Sequence, residues 1–457
     1  MSDLQLETLP DGLLMTWYGD DFTGSAAVME AMTFAGLPSI LFFDTPTPAQ
    51  LARFPGVRGL GIASTARSHS PAWMVANMPA PLAFLAALNA PFLHYKICST
   101  LDSAPHLGSI GTAIDLALQA RPSQAIPVLT AAPRMRRYQA FGHLFAGTPQ
   151  GVFRLDRHPV MAQHPVTPMA ESDVLRHLAT QTDLPAALLD LEALANPQTA
   201  QAALEQALHT VQLLSLDTMT ADTDAAAGRL IWQNRDKLRL LIGSQGLEYA
   251  LIEHWQRAGL IPVASPAACA GVVAQIIAVS GSVSPITAAQ IEWSAANGFG
   301  LVRLDAATLL RNPEAAEAAA TQAALSLVAQ GQSPLILTAA GPADPAVAAF
   351  HTALAQSQIP PETANQRIGE SLGRVLDASL RASKIRRAVI SGGDTSGHGA
   401  RQLGLFALSA LAPTIPGAAL FTAHGDDAHD GLQLALKGGQ MGSADYFGWI
   451  RAGGGAR

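Results

Sequence analysis

Tyr18-Gly19-Asp20-Asp21-Phe22-Thr23-Gly24-Ser25 joins an apolar run, Leu13-Leu14-Met15-Thr16-Trp17, to a helical pattern, Ala26-Ala27-Val28-Met29-Glu30-Ala31-Met32, closed by Gly36. The apolar run reads as a buried strand. Two adjacent carboxylates therefore stand where a first strand ends and a first helix begins. In open α/β sheets the ligand crevice lies outside those strand ends. Gly19 and Gly24 allow a tight turn and close approach of a ligand. A capping role would need one aspartate. Two side by side repel each other, which calls for a cationic partner, a metal or a proton to be taken.

The same alternation continues through most of the chain. Strand-like runs fall at Leu13–Tyr18, Ser39–Phe43, Gly59–Ala63, Phe92–Ile97, Ala125–Thr130, Ala187–Leu191, Val211–Leu216 and Leu238–Ile242, with helical patterns such as Ser109–Gln119, Asp173–Ala179, Thr199–Leu208 and Leu247–Arg257 between them. Gly259-Leu260-Ile261-Pro262 through Ser265-Pro266 breaks the pattern as a linker would. It then restarts with strands at Gln275–Val279, Leu301–Leu304, Leu335–Thr338 and Ala388–Ile390, and helices at Ala315–Leu327 and Ile368–Ala382. The fold class this implies is α/β: two domains, residues 1–262 and 263–457, each a mostly parallel sheet covered by helices. Pro159 to Pro168 reads as an irregular insertion.

Composition excludes several classes of function. The 457 residues exceed one ordinary core. Hydrophobic residues make up 49%, charged ones 14%, and the mean hydropathy is +0.22, which describes a well-buried globular chain. Net charge is 28 − 35 = −7, so nucleic acid and anionic membrane are poor partners. Met1 to Pro10 lacks the apolar core of a signal peptide, and no uncharged apolar run is long enough to span a bilayer. The two cysteines, Cys98 and Cys269, are far apart and belong to no CxxC pair, which suits a reduced, cytoplasmic protein. His158, His164 and His177 lack metal-ligand spacing, so a metal held by the protein itself is not expected.

Three Gly/Ser/Thr-rich turns follow strands in the second half: Ser280-Gly281-Ser282-Val283-Ser284, Ser391-Gly392-Gly393-Asp394-Thr395-Ser396-Gly397 and Lys437-Gly438-Gly439-Gln440-Met441-Gly442. Backbone amides at such turns, with helix N-termini behind them, make anion sites. Neither a P-loop nor a G-x-G-x-x-G fingerprint is present. In the first half, Tyr95-Lys96-Ile97-Cys98-Ser99-Thr100-Leu101-Asp102-Ser103 follows a strand and shares a sheet edge with Asp20 and Asp21. Lys96 there is either a surface lysine at a strand end or a group facing an anionic substrate. Cys98 reads as a packed thiol. Arg134-Met135-Arg136-Arg137-Tyr138 is either a solvated basic turn or a carboxylate binder.

These motifs together resemble the four-carbon acid sugar kinase family, whose members phosphorylate sugar acids such as threonate, erythronate and 3-oxo-tetronate with ATP. The family's A-D-D-x-T-G-A is similar to Gly19 through Ser25, and its G-R-x-x-x-x-G-H-L to Arg137 through Gly142-His143-Leu144. Its H-P-x-x-P-M-x-x-S stands as His164 through Ser172, and its G-S-C-S turn as Gly281-Ser282-Val283-Ser284. S-G-G-[ED]-T-S-G is matched in full by Ser391–Gly397, and L-K-x-G-x-x-G by Leu436–Gly442. The motifs run in order along nearly the whole chain. One departure is that the family's K-x-D-S-T-L-R-G stands here as Lys96-Ile97-Cys98-Ser99-Thr100-Leu101-Asp102-Ser103, so an acid has become Cys98 and an arginine Asp102. The substrate implied is a small sugar acid, four-carbon or related, and a branched or oxidised acid such as 3-oxo-isoapionate is within the family's reach.

The resemblance implies an N-terminal sugar-acid domain and a C-terminal ATP domain that close to exclude water. Asp20 or Asp21 takes the proton of the attacking hydroxyl. Lys96 and Arg137 hold the carboxylate, with Ser99, Thr100 and Asp102 also lining the substrate site. Ser282, Ser284, Gly392, Gly393, Asp394, Thr395 and Gly439 contact ATP, and Mg²⁺ arrives with it. A homodimer is compatible with this reading. A non-catalytic sugar-acid sensor would not need three phosphate-type turns, and a dehydrogenase would need the missing dinucleotide fingerprint.

Overall fold

The computed structural model describes residues 8–148, 150–164, 166–265 and 267–457, apart from the side chains of Glu362 and Asp394. Met1 to Glu7, most of the stretch read above for a signal peptide, lies outside the described residues. The chain divides into two compact units, Met1–Ser265 and Pro266–Arg457.

In the first unit, strands run as β1 Met15–Gly19, β2 Ser39–Phe42, β3 Gly59–Ala63, β4 Phe92–Lys96, β5 Ile126–Leu129, β6 Arg137–Ala140, β7 His143–Thr148, β8 Gly151–Arg154, β9 Ala186–Leu189, β10 Leu213–Leu216 and β11 Leu240–Gly243. Eight of them pair in parallel in the order β2-β3-β1-β4-β11-β5-β10-β9. Every residue of β1 and β4 is buried, as expected for a parallel sheet covered on both faces. Trp232 and Trp255, edge to face at 5.3 Å, anchor the core on one side.

The second unit holds β12 Ile277–Ser280, β13 Phe299–Arg303, β14 Ser333–Leu337, β15 Arg387–Ser391, β16 Leu405–Ala412, β17 Leu420–Gly425 and β18 Gln433–Lys437. Their order is β13-β14-β12-β15-β18-β17-β16. The pairs from β13 to β18 are parallel, and β18/β17 and β17/β16 are antiparallel. Tyr446, Phe447 and Ile450 pack into its core with Leu335, Leu420 and Ala435.

The expected alternation is present, with strand ends shifted by one or two residues. Two departures stand out. β16, Leu-Phe-Ala-Leu-Ser-Ala-Leu-Ala, has a composition that favours helix, and pairing overrides it. β6, β7 and β8 form a separate antiparallel sheet that starts within the stretch read as either a solvated basic turn or a carboxylate binder. Its first turn puts Phe141 and Gly142 at φ +49° and +79°. Asp217, just after β10, accepts hydrogen bonds from both their amides and from Gln139 Nε2. That long-range anchor is invisible to local pattern. Within the expected irregular insertion lies a single 3₁₀ turn, Met161–Gln163; Pro165 is outside the described residues.

Candidate active site

Register brings the chemistry of the first unit together. Gly19 is level with Ala63 of β3 and with Lys96 of β4, so the residues that follow share one sheet edge. Asp20 N–H donates to the Lys96 carbonyl at 3.0 Å. Asp21 caps the helix Phe22–Phe34, accepting from Gly24 N–H at 2.9 Å and from Thr23 Oγ1 at 2.8 Å. Asp21 is therefore the helix cap, with the Asp20 carboxylate beside it left over from that role.

The cation that this pair calls for is Arg67, in the 3₁₀ turn Ala66–Ser68 after β3. Its Nε donates to Asp20 Oδ2 at 3.0 Å and its Nη2 to Asp20 Oδ1 at 2.7 Å, a bidentate fork. Nη2 also lies 3.0 Å from Asp21 Oδ1. The Asp20 side chain is 4% exposed and that of Asp21 24%. Burial pushes the Asp20 carboxyl above its ordinary range, Arg67 opposes this, and the Asp21 charge adds to it. Burial also acts upward on Asp21, but Arg67, Lys96 and its two capping donors outweigh it and hold that carboxyl low. Neighbouring carboxylates pushed apart in this way mark candidate acid–base sites.

Lys96 is not a surface lysine: it is 2% exposed, and its Nζ donates to the Ile97 carbonyl at 2.6 Å. A Cβ on Gly24 would stand 2.3 Å from Asp21 Oδ1 and 2.7 Å from Lys96 Nζ, so a side chain there would displace both of these groups. Cys98 is half-buried rather than packed in the core, with Sγ 3.0 Å from Thr100 Oγ1. Burial pushes its thiol up, Asp102 adds to this, and Arg67 and Lys96 oppose it. Arg137 lies in the same field, its own pKa lowered first by burial and partly restored by Cys98. Arg137 Nη1 reaches three carbonyls at 3.3 Å, while its Nε is buried without a partner. Asp102 Oδ1 is likewise buried and unpartnered. Asp102 does not cap the helix Ile110–Ala120, because Ser109 does. Ser99 is half-buried and Thr100 buried. Among the described residues no cluster of three His, Cys, Asp or Glu side chains could hold a metal; His158 and His164 instead bond the loop around them.

In the second unit, Ser280, Ser391 and Lys437 are level at the ends of three adjacent parallel strands, so the three Gly-rich turns converge. Ser284 caps the helix Pro285–Ala296, accepting from Thr287 N–H at 3.1 Å and donating to the Gly439 carbonyl at 2.5 Å. Thr287 Oγ1 lies 3.0 Å from both Ser282 Oγ and that carbonyl. A Cβ on Gly439 would approach Ser282 Oγ to 2.5 Å. Gly392, at φ +126°, opens the helix Gly393–Arg401, whose first turn holds buried Thr395. The Asp394 side chain is outside the described residues. Amides and hydroxyls converging on two helix N-termini fit a phosphate-bearing ligand.

Residues 15–251 match the sugar-binding N-terminal domain family, and residues 277–447 match the nucleotide-binding C-terminal domain family. The chain is 44% identical over 451 residues to a 3-oxo-isoapionate kinase of Paraburkholderia graminis, covering 97% of this chain and 95% of that protein. It belongs to the four-carbon acid sugar kinase family. A 3-oxo-tetronate kinase of Cupriavidus necator is 28% identical over 446 residues, covering 96% and 97% of the two chains. A solved structure from Salmonella typhimurium LT2 superposes with a TM-score of 0.76 at 25% identity, covering 96% and 98%. One from Haemophilus influenzae, at 0.71 and 20%, shares the fold and covers 95% and 99%.

Sequence reasoning did not single out Arg67 or Lys437. Arg67 had one signal, its place just past the third strand. Lys437 stood in a quoted motif, but nothing marked it as buried.

Proposed function

We propose that this chain is an ATP-dependent kinase acting on a hydroxyl of a small 3-oxo sugar acid, with the first unit taking the acid and the second taking ATP with Mg²⁺. The observation that carries the reading is the Arg67-bridged carboxylate pair beside buried Lys96, at the strand ends of the unit that matches the sugar-binding family. In the reaction the substrate hydroxyl oxygen bonds to the γ-phosphorus, the bond to the ADP oxygen breaks, and the hydroxyl proton passes to a carboxylate. Asp21 is the better-placed acceptor because it is the more exposed of the two. A weakly basic carboxylate suffices where the transition state is loose and the proton leaves late. Lys96 and the unpartnered Nε of Arg137 hold the substrate carboxylate, with Ser99, Thr100 and Asp102 against its hydroxyls. Ser282, Ser284, Gly392, Gly393, Thr395 and Gly439 contact ATP. No helix among the described residues is long and apolar enough to cross a membrane, and both cysteines are free; the reading includes a cytoplasmic location.

The test is a coupled assay of ADP release with 3-oxo-isoapionate, 3-oxo-tetronate, threonate and erythronate. The 3-oxo acids are expected to be turned over, the branched one with the highest kcat/KM. No ADP release with any of the four, from a folded chain that binds ATP, would overturn the reading.

A further inference from the structure

Lys437 ends β18 with no part of its side chain at the surface. Its ammonium has three N–H donors. One meets the Gly438 carbonyl at 3.0 Å, and Thr287 Oγ1 lies at 3.5 Å, too far for a strong bond. Among the described residues no carboxylate pairs with it, and the ring of Tyr446 lies 6.0 Å away. Burial alone lowers its pKa to about 8, with no neighbouring charge contributing. A buried cation without a counter-charge is expensive, and such groups are paired or lose their proton. This one sits where three Gly-rich turns, two of them hydroxyl-bearing, and two helix N-termini meet. Ser282 Oγ, half-exposed and 3.0 Å from that same Thr287 Oγ1, accepts from Ser284 N–H and carries a proton of its own to offer an acceptor.

We infer that Lys437 is a phosphate-binding residue: the counter-anion it lacks is supplied by the polyphosphate of the nucleotide, with Ser282 Oγ donating beside it. The inference rests on the reading that the second unit takes ATP. The anion sits against the ammonium, so the lysine is protonated in the complex even at a pH where the free protein holds it neutral. Nucleotides are then ranked by phosphate charge, and adenosine gains nothing from this residue.

Calorimetry on the full chain tests it with ATP, ADP and adenosine. Lys437→Met is expected to lose on the order of 10-fold or more in ATP affinity, with adenosine affinity unchanged and with Lys437→Arg recovering part of the loss. A folded Lys437→Met chain with the wild-type ratio of ATP to adenosine affinity would overturn the inference. A second measurement needs no variant. At pH 8.5, ATP binding to the wild-type chain, titrated in buffers of different ionisation enthalpy, is expected to take up a fraction of a proton. Zero uptake overturns the assignment of Lys437 while leaving ATP binding intact. A wild-type chain that binds no ATP removes the underlying reading instead.

Discussion

At the ends of β1, β3 and β4, two carboxylates meet a guanidinium fork and a buried ammonium. At the ends of β12, β15 and β18, the described residues offer main-chain groups, hydroxyls and a single buried cation. Both positions follow from the same rule about the carboxyl ends of parallel strands. The first site balances its charges internally before any ligand arrives, so each charged side chain there supports both the local fold and the chemistry. The second leaves unbalanced the one charge that its described residues carry, so a substitution there acts mainly on affinity for an anion.

The sharpest way to break that contrast is at Arg67. Arg67→Met leaves two adjacent carboxylates without their partner, and removing one member of a buried ion pair costs about 3–5 kcal/mol. Loss of turnover and a large drop in Tm are both expected, read by the coupled assay and by thermal melting. Arg67→Lys keeps the charge but cannot fork, so it should recover much of the Tm and little of kcat. A Met variant with wild-type kcat would show that the pair needs no internal counter-ion.

Next in size are Asp20→Asn and Asp21→Asn. Asparagine still caps a helix, so Asp21→Asn should fold. Loss of the proton acceptor lowers kcat by about 10²–10⁴-fold. Asp21→Asn is expected to show that loss at unchanged ATP affinity. Asp20→Asn should act through Arg67 and lower Tm as well. The reverse pattern would exchange their roles.

A smaller effect separates the sites by pH. With the free Lys437 ammonium near pKa 8, only its protonated form suits a polyphosphate. ATP affinity should therefore fall as pH rises through 8, by roughly tenfold between pH 7 and 9 by simple linkage. The sign for stability is opposite. The folded pKa lies below that of an ordinary lysine, so the penalty of burying the charge is full below pH 8. It is relieved as pH climbs towards the unfolded value. Lys437→Arg should flatten the affinity slope, because arginine does not titrate there.

The smallest expected effect is on selectivity. Asp102→Ala should lower kcat/KM for the branched 3-oxo acid several-fold and change that for threonate little, since a typical hydrogen bond contributes a net of about 0.5–1.5 kcal/mol. Equal changes for both acids would mean that Asp102 does not read the branch.

Much of this was legible in the chain. Asp20 and Asp21 announce themselves because adjacent carboxylates at a strand–helix junction need a reason, and Lys96 because it ends the next strand in the same sheet edge. Arg67 was hidden because its partnership depends on β3 lying beside β1, a fact of sheet order rather than of sequence order. The β6–β8 sheet was hidden because its turn is held from a distance by Asp217. Lys437 was hidden because Gln-Leu-Ala-Leu-Lys has no strand bias of its own, and its burial follows from neighbours on both sides.

The chain contains only four lysines, Lys96, Lys237, Lys384 and Lys437. Lys237 and Lys384 are exposed, while the other two end β4 and β18 inside the candidate sites. Among its lysines, an amine-acylating reagent applied to the native protein therefore meets two open targets and two shielded ones, one of each in each unit. Mass spectrometry of the labelled peptides becomes a footprint with two independent channels, in which acylation at Lys96 reports opening of the first unit and acylation at Lys437 opening of the second.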